Sequence, residues 1–239
     1  MIAPLKQYSF RGVVWYQGEG QHVAYEENMT KLIDGWRRVF NHEDLKFVIV
    51  ELPRIDFDLQ YTESSWFKVR EQQKRLADYP NVTYSVNIDL GIKTSETNDP
   101  MHPYDKKEAG KRAAHAFMKS FYQAEGVLTS PKITYIGYDN NDLILKFSNV
   151  GEGLYLNDYL AGFEVSVDGV NYQYAKPILI DQYTIRIETD ERQVLSVRYG
   201  YSYSITEVFG LEGTAPTLAD LVCVYNSGGY PLDQFEIYL

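Results

Sequence analysis

Gly12-Val-Val-Trp-Tyr-Gln-Gly-Glu-Gly-Gln21 decides how the first half of this chain folds. Val13–Tyr16 is a short apolar run of the kind that forms a buried strand, and the glycines at 18 and 20 break it into a tight turn. Beyond the turn, Tyr25, Met29, Leu32, Ile33, Trp36 and Phe40 recur at spacings of three and four, one face of a helix. Strand, glycine turn and helix form the opening of a βαβ unit. They place Gln17–Gly20 at the carboxyl end of a parallel strand, where open α/β sheets bind their ligands. Gln17 offers a side-chain amide donor suited to an oxyanion, and Glu19 sets a carboxylate at the mouth of the same turn. On its own the segment reads as a structural tight turn more readily than as a site.

Working outward, Phe47–Leu52 is a second strand closed by Pro53, residues 62–77 carry a weaker helical period, and Val82–Ile88 is a third strand. Ala109, Ala113, Phe117 and Phe121 mark a helix that starts after Pro103 and ends near Gly126. Past Gly126 the helical period stops. Ile133–Tyr138, Leu143–Phe147, Phe163–Val167, Ile178–Ile180, Thr184–Glu188, Val194–Tyr199 and Leu221–Tyr225 are short β-type runs separated by turn signals. Leu143-Ile-Leu-Lys-Phe-Ser and Tyr183-Thr-Ile-Arg-Ile-Glu alternate apolar with polar, as half-solvated antiparallel strands do. The expected fold class is α/β followed by β: residues 1–126 supply part of a three-layer α/β domain, and residues 127–239 an antiparallel, sandwich-like accessory domain. Three parallel strands are few for a doubly wound sheet and leave an apolar edge open to a missing segment or another chain.

Composition narrows the function. The 239 residues carry a net charge of −10, which repels phosphate backbones and argues against nucleic acid as a partner. No apolar run approaches the roughly 18 residues of a membrane span. One cysteine, Cys223, excludes an internal disulfide and reads as core. His22, His42, His102 and His115 show no ligand spacing such as His-x-x-x-His, so neither metal nor other cofactor is expected, and His115 is placed on the exposed side of its helix. The 21 tyrosines point mildly to carbohydrate or protein contact, and equally to a tyrosine-rich sandwich.

A second segment, Asn98-Asp99-Pro100-Met101-His102-Pro103, lies between the third strand and the last helix, again at the carboxyl end of the sheet. Prolines restrict His102, and an Asp three residues earlier can reach one ring nitrogen and fix the tautomer, the orienter–base relation of a hydrolytic triad. An exposed histidine leading into a helix is the plainer reading of the same letters.

Trp15-Tyr-Gln-Gly-Glu together with Met101-His-Pro-Tyr-Asp-Lys-Lys resembles the sialate O-acetylesterase family, SGNH-type (flavodoxin-like) hydrolases related to acetylxylan esterases. Met1-Ile-Ala-Pro-Leu, Val69-Arg-Glu-Gln-Gln, Asn87-Ile-Asp-Leu-Gly, Gly110-Lys-Arg-Ala-Ala, Val197-Arg-Tyr-Gly and Tyr225-Asn-Ser-Gly-Gly-Tyr-Pro-Leu follow the family's order. The resemblance implies hydrolysis of acetyl esters on sugars or sialoglycans by a Ser-His-Asp mechanism. In it His102 is the base, Asp99 its orienter, Gln17 with Gly18 and Glu19 the oxyanion and substrate pocket, and Arg70 and Glu71 a supporting pair read first as scaffold. The sequence departs from the family in having Pro100 two residues before His102, where many members carry an acid, and Gly20-Gln21 where Ser-Asn is usual.

The family's Gly-Asp-Ser or Gly-Gln-Ser nucleophile block is absent, since Ser9, Ser64, Ser65, Ser85, Ser95 and Ser227 all lack that glycine context. The expectation is that the chain resembles the C-terminal portion of an esterase, with its nucleophile upstream of residue 1 and no significant esterase activity alone. Family habit suggests a periplasmic or secreted setting. A non-catalytic carbohydrate-binding or assembly module that keeps a decayed esterase half is the alternative.

Overall fold

A computed structural model describes residues 2–20, 23–54, 66–91, 102, 106–189, 193–201 and 222–239. The described residues within 1–52, 57–87 and 104–125 form one compact unit, and those within 53–56, 88–103 and 126–239 a second.

The first unit is built on a three-stranded parallel sheet in the order β1 (Gly12–Trp15), β2 (Lys46–Val50), β3 (Val82–Ser85). Phe47, Val48 and Ile49 of the middle strand are fully buried, the continuous apolar run expected of a strand covered on both faces. The covers are α1 (Tyr25–Phe40), α2 (Phe67–Arg75) and α3 (Lys107–Tyr122). Successive strand residues point to opposite faces. Phe47 meets Trp36 of α1, with ring centroids 6.2 Å apart, whereas Lys46 lies 5.8 Å over Phe121 of α3. Thus α1 and α3 occupy opposite faces. The α1 periodicity is realised in the buried set Tyr25, Met29 and Ile33. Asn41 in the left-handed region stops the helix, its N–H bonded to Arg37 and Arg38 carbonyls. The predicted helix over 62–77 is observed as Phe67–Arg75 followed by a 3-10 turn, Leu76–Asp78; positions 62–65 lie outside the described residues. Val14 on β1 is 58% exposed.

The second unit is antiparallel. One sheet runs β4 (Lys132–Asp139), β5 (Asp142–Ser148), β10 (Thr184–Ile187), β9 (Pro177–Asp181). Another runs β13 (Phe235–Tyr238), β11 (Ser196–Tyr199), β7 (Phe163–Ser166), β8 (Gln173–Tyr174). A two-stranded ladder pairs β6 (Leu154–Leu156) with β12 (Val224–Asn226). The strands β6, β8 and β13 were not among the expected runs. Phe163, Tyr199 and Phe235 form a ring cluster with centroids 4.6–6.3 Å apart. Cys223 is fully buried beside it, and burial pushes its thiol up to about 12.

Candidate active site

The chain leaves β1 through Tyr16 and turns at Gln17-Gly18-Glu19. Three side chains from other elements hold this turn. The Tyr25 hydroxyl, at the start of α1, donates to the Gln17 carbonyl at 2.8 Å. Gln73 of α2 is fully buried, and its Nε2 donates to the same carbonyl at 3.1 Å, while its Oε1 accepts from the Leu52 N–H at 2.9 Å. The Gly18 N–H donates to the Glu19 carboxylate at 2.9 Å. The turn is also packed tightly. A Cβ at position 18 would stand 3.0 Å from both Leu52 and Val69 and 3.1 Å from Gln73 Nε2, so only glycine passes without displacing neighbours.

Tyr16 and Tyr25 flank the turn, and burial pushes both hydroxyls up to about 12, with the nearby Glu19 charge adding to each shift. Both are therefore protonated donors at neutral pH. The Tyr16 ring also carries a cation on its face, with Lys106 Nζ 4.9 Å from the centroid. Lys106 stands at the N-terminal end of α3 and belongs to the Met101-His-Pro-Tyr-Asp-Lys-Lys segment, so a residue of the second motif touches a residue of the first.

A buried polar network occupies the carboxyl ends of β2 and β3. Glu51 accepts from the Asn87 N–H at 2.8 Å, and Asn87 Nδ2 donates to the Ser85 carbonyl at 2.8 Å and to its hydroxyl at 3.1 Å. Arg112 of α3 reaches the Val86 carbonyl at 3.1 Å and Glu108 at 3.3 Å. Glu51, Ser85, Asn87 and Arg112 are all buried. Sequence reasoning did not single out this network, although a glutamate inside the apolar run Val50-Glu51-Leu52 is its visible signal.

Among the sequence-predicted residues, Gln17, Gly18 and Glu19 share the turn in the first unit. Arg70, expected on a solvated or scaffold face, is buried with its guanidinium 5.7 Å over the Phe67 ring; Glu71 beside it is half-buried. The reason is rotational: Val69, Arg70 and Gln73 are the inward residues of α2. His102 is exposed and groups with the second unit, and Asp99 lies outside the described residues. His115, placed on the exposed side of its helix, is half-buried. Among the described residues, no three His, Cys, Asp or Glu side chains gather to hold a metal ion, and no helix is long and apolar enough to cross a membrane.

Residues 2–119 match the model of a protein family described as carbohydrate esterase, sialic acid-specific acetylesterase. The fold is similar to the crystal structure of a novel carbohydrate acetylesterase from Xanthomonas citri, with a TM-score of 0.77 and 25% identity over 98% of this chain. The chain spans 52% of that enzyme's length. Among the curated proteins none matches the chain.

Proposed function

We propose that this chain supplies the base and the oxyanion side of a carbohydrate O-acetylesterase of the SGNH type, acting on acetyl esters of sialic acid or related sugars. Gln17 and the Gly18 amide stabilise the tetrahedral oxyanion, His102 is the general base, and Asp99 fixes its tautomer. A serine on a segment outside residues 1–239 attacks the acetyl carbonyl. His102 accepts its proton, delivers it to the departing sugar oxygen, which leaves as a hydroxyl, and then activates the water that releases acetate. The same segment covers the open edge of the parallel sheet beside β1. Residues 1–126 are the hydrolase portion, and residues 127–239 a sandwich-like accessory domain.

The turn's place at the carboxyl end of a parallel strand, within the segment that matches the family, carries this reading. Support also comes from the contact of Lys106, in the second motif, with Tyr16, in the first.

The test is hydrolysis of 4-nitrophenyl acetate. The expected result is none above buffer for residues 1–239 alone. Turnover should appear when the chain is extended by an upstream-encoded segment carrying a Gly-Asp-Ser or Gly-Gln-Ser block, and vanish on His102→Ala. Activity of the extended chain that survives His102→Ala overturns the assignment of the base. An extended chain that stays inactive on acetylated sugars favours a non-catalytic carbohydrate-binding module.

A further inference from the structure

Gln73 is the one fully buried glutamine of α2, and every polar atom of its side chain is aimed at backbone or hydroxyl groups around the Gln17 turn. Its Oε1 takes the Leu52 N–H just past β2. Its Nε2 points to the Gln17 carbonyl at 3.1 Å, the Tyr25 hydroxyl at 3.4 Å and the Val50 carbonyl at 3.5 Å. Two hydrogens serve these three acceptors, and the shortest contact is the one to the turn. Tyr25 closes the figure by donating to the same Gln17 carbonyl, so that carbonyl is gripped twice.

Scaffolding alone would not call for this arrangement. Burying an amide is costly unless it is fully bonded, and an apolar side chain at this inward position of α2 would pack against Val69 and Leu52 without that requirement. The amide does what an apolar residue could not: it ties the exit of β2 to the exit of β1 through one rigid group. Fixing the Gln17 carbonyl fixes the peptide plane that ends in the Gly18 N–H, because that plane has no free torsion of its own. A side chain at position 18 would press on Gln73 and Val69, so the turn has little slack on that side.

We propose that Gln73 is a positioning residue of the oxyanion pocket, setting through the Gln17 carbonyl the direction in which the Gly18 N–H and the Gln17 amide face an incoming anion. This rests on the reading of Gln17–Glu19 as the oxyanion side. Gln72, its neighbour, is the natural contrast. Its amide bonds the Glu26 N–H and the Lys68 carbonyl, on the α1–α2 seam and away from the turn.

The experiment titrates the 239-residue chain with methylphosphonate, a tetrahedral anion, and follows the side-chain and backbone amide signals of Gln17 and Gly18 by NMR. Thermal midpoints are recorded alongside. Gln73→Leu should weaken methylphosphonate binding about tenfold, the worth of one such hydrogen bond, at temperatures where the variant is folded. Tyr25→Phe, which removes the second grip, should act in the same direction, and it decides the matter if Gln73→Leu does not fold. Gln72→Leu should leave affinity within about twofold, whatever it does to the midpoint. Wild-type affinity in folded Gln73→Leu or Tyr25→Phe overturns the proposal and leaves the oxyanion reading standing. A wild-type chain whose Gln17 and Gly18 signals ignore methylphosphonate overturns that reading, and the positioning role with it.

Discussion

The two units bury their polar side chains for different ends. In the antiparallel unit they close turns. Asn226 donates to the Thr129 and Asn149 carbonyls at 2.8 and 2.9 Å and accepts from the Gly228 and Tyr230 N–H groups. Thr189 reaches the Asn141 carbonyl in the β4–β5 turn. In the parallel unit, Gln73, Glu51, Asn87 and Arg112 come from separate elements and meet backbone groups at the carboxyl ends of the three strands. Loop closure explains the first set. The second exceeds what closure requires, and it stands where α/β sheets do their chemistry.

The sharpest break of this contrast is in the antiparallel unit. Asn226→Ala removes four hydrogen bonds and leaves buried partners unpaired, so chemical denaturation should show a loss of about 3 kcal/mol. Methylphosphonate binding at Gln17 should stay unchanged in the surviving folded protein; a parallel loss there would erase the functional distinction between the units. Next in size, Gly18→Ala should cost about 1–3 kcal/mol through overpacking against Leu52 and Val69. Unlike the first variant, it should also displace the Gln17 and Gly18 amide signals.

A smaller effect is alkaline. Tyr16, Tyr25 and Tyr172 are raised from 10.0 to about 12, and Cys223 from 9.0 to about 12, each chiefly by burial. The folded state holds these protons where the unfolded state releases them. Their contribution to stability is complete below about pH 9 and is lost as pH rises through about 12. Thermal midpoints measured across that window should fall, with no matching absorbance change at 295 nm from the buried phenols before unfolding. The least effect belongs to the exposed Lys31–Glu27 pair on α1, where Lys31→Met should stay within about 0.5 kcal/mol by the same denaturation assay.

Much of the parallel unit was legible because its signals are local. The spacing from Tyr25 to Phe40 and the unbroken apolar run of β2 dictate helix and buried strand without reference to anything distant. The antiparallel pairings were less so. β11 lies between β7 and β13, and β10 beside β5, joined by register rather than by neighbourhood in sequence. β8 has two residues, too short to carry a period. At the site, Gln17 could be found because a strand running into glycines announces a turn. Gln73 stood in the Val69-Arg-Glu-Gln-Gln block with no role of its own, since a glutamine in a helix reads as solvent-facing. Only its place on the same face as Val69 and Leu76, four and three residues away, turns it inward, and that face is defined by what α2 packs on.

The Glu19 carboxylate on the Gly18 N–H has a consequence for whatever anion comes to that turn. The donor is already engaged by a ligand tethered one residue away, at a local concentration no dissolved species matches. A newcomer has to displace that carboxylate, so a small free anion such as methylphosphonate binds there weakly, and a ligand anchored elsewhere on the protein binds better.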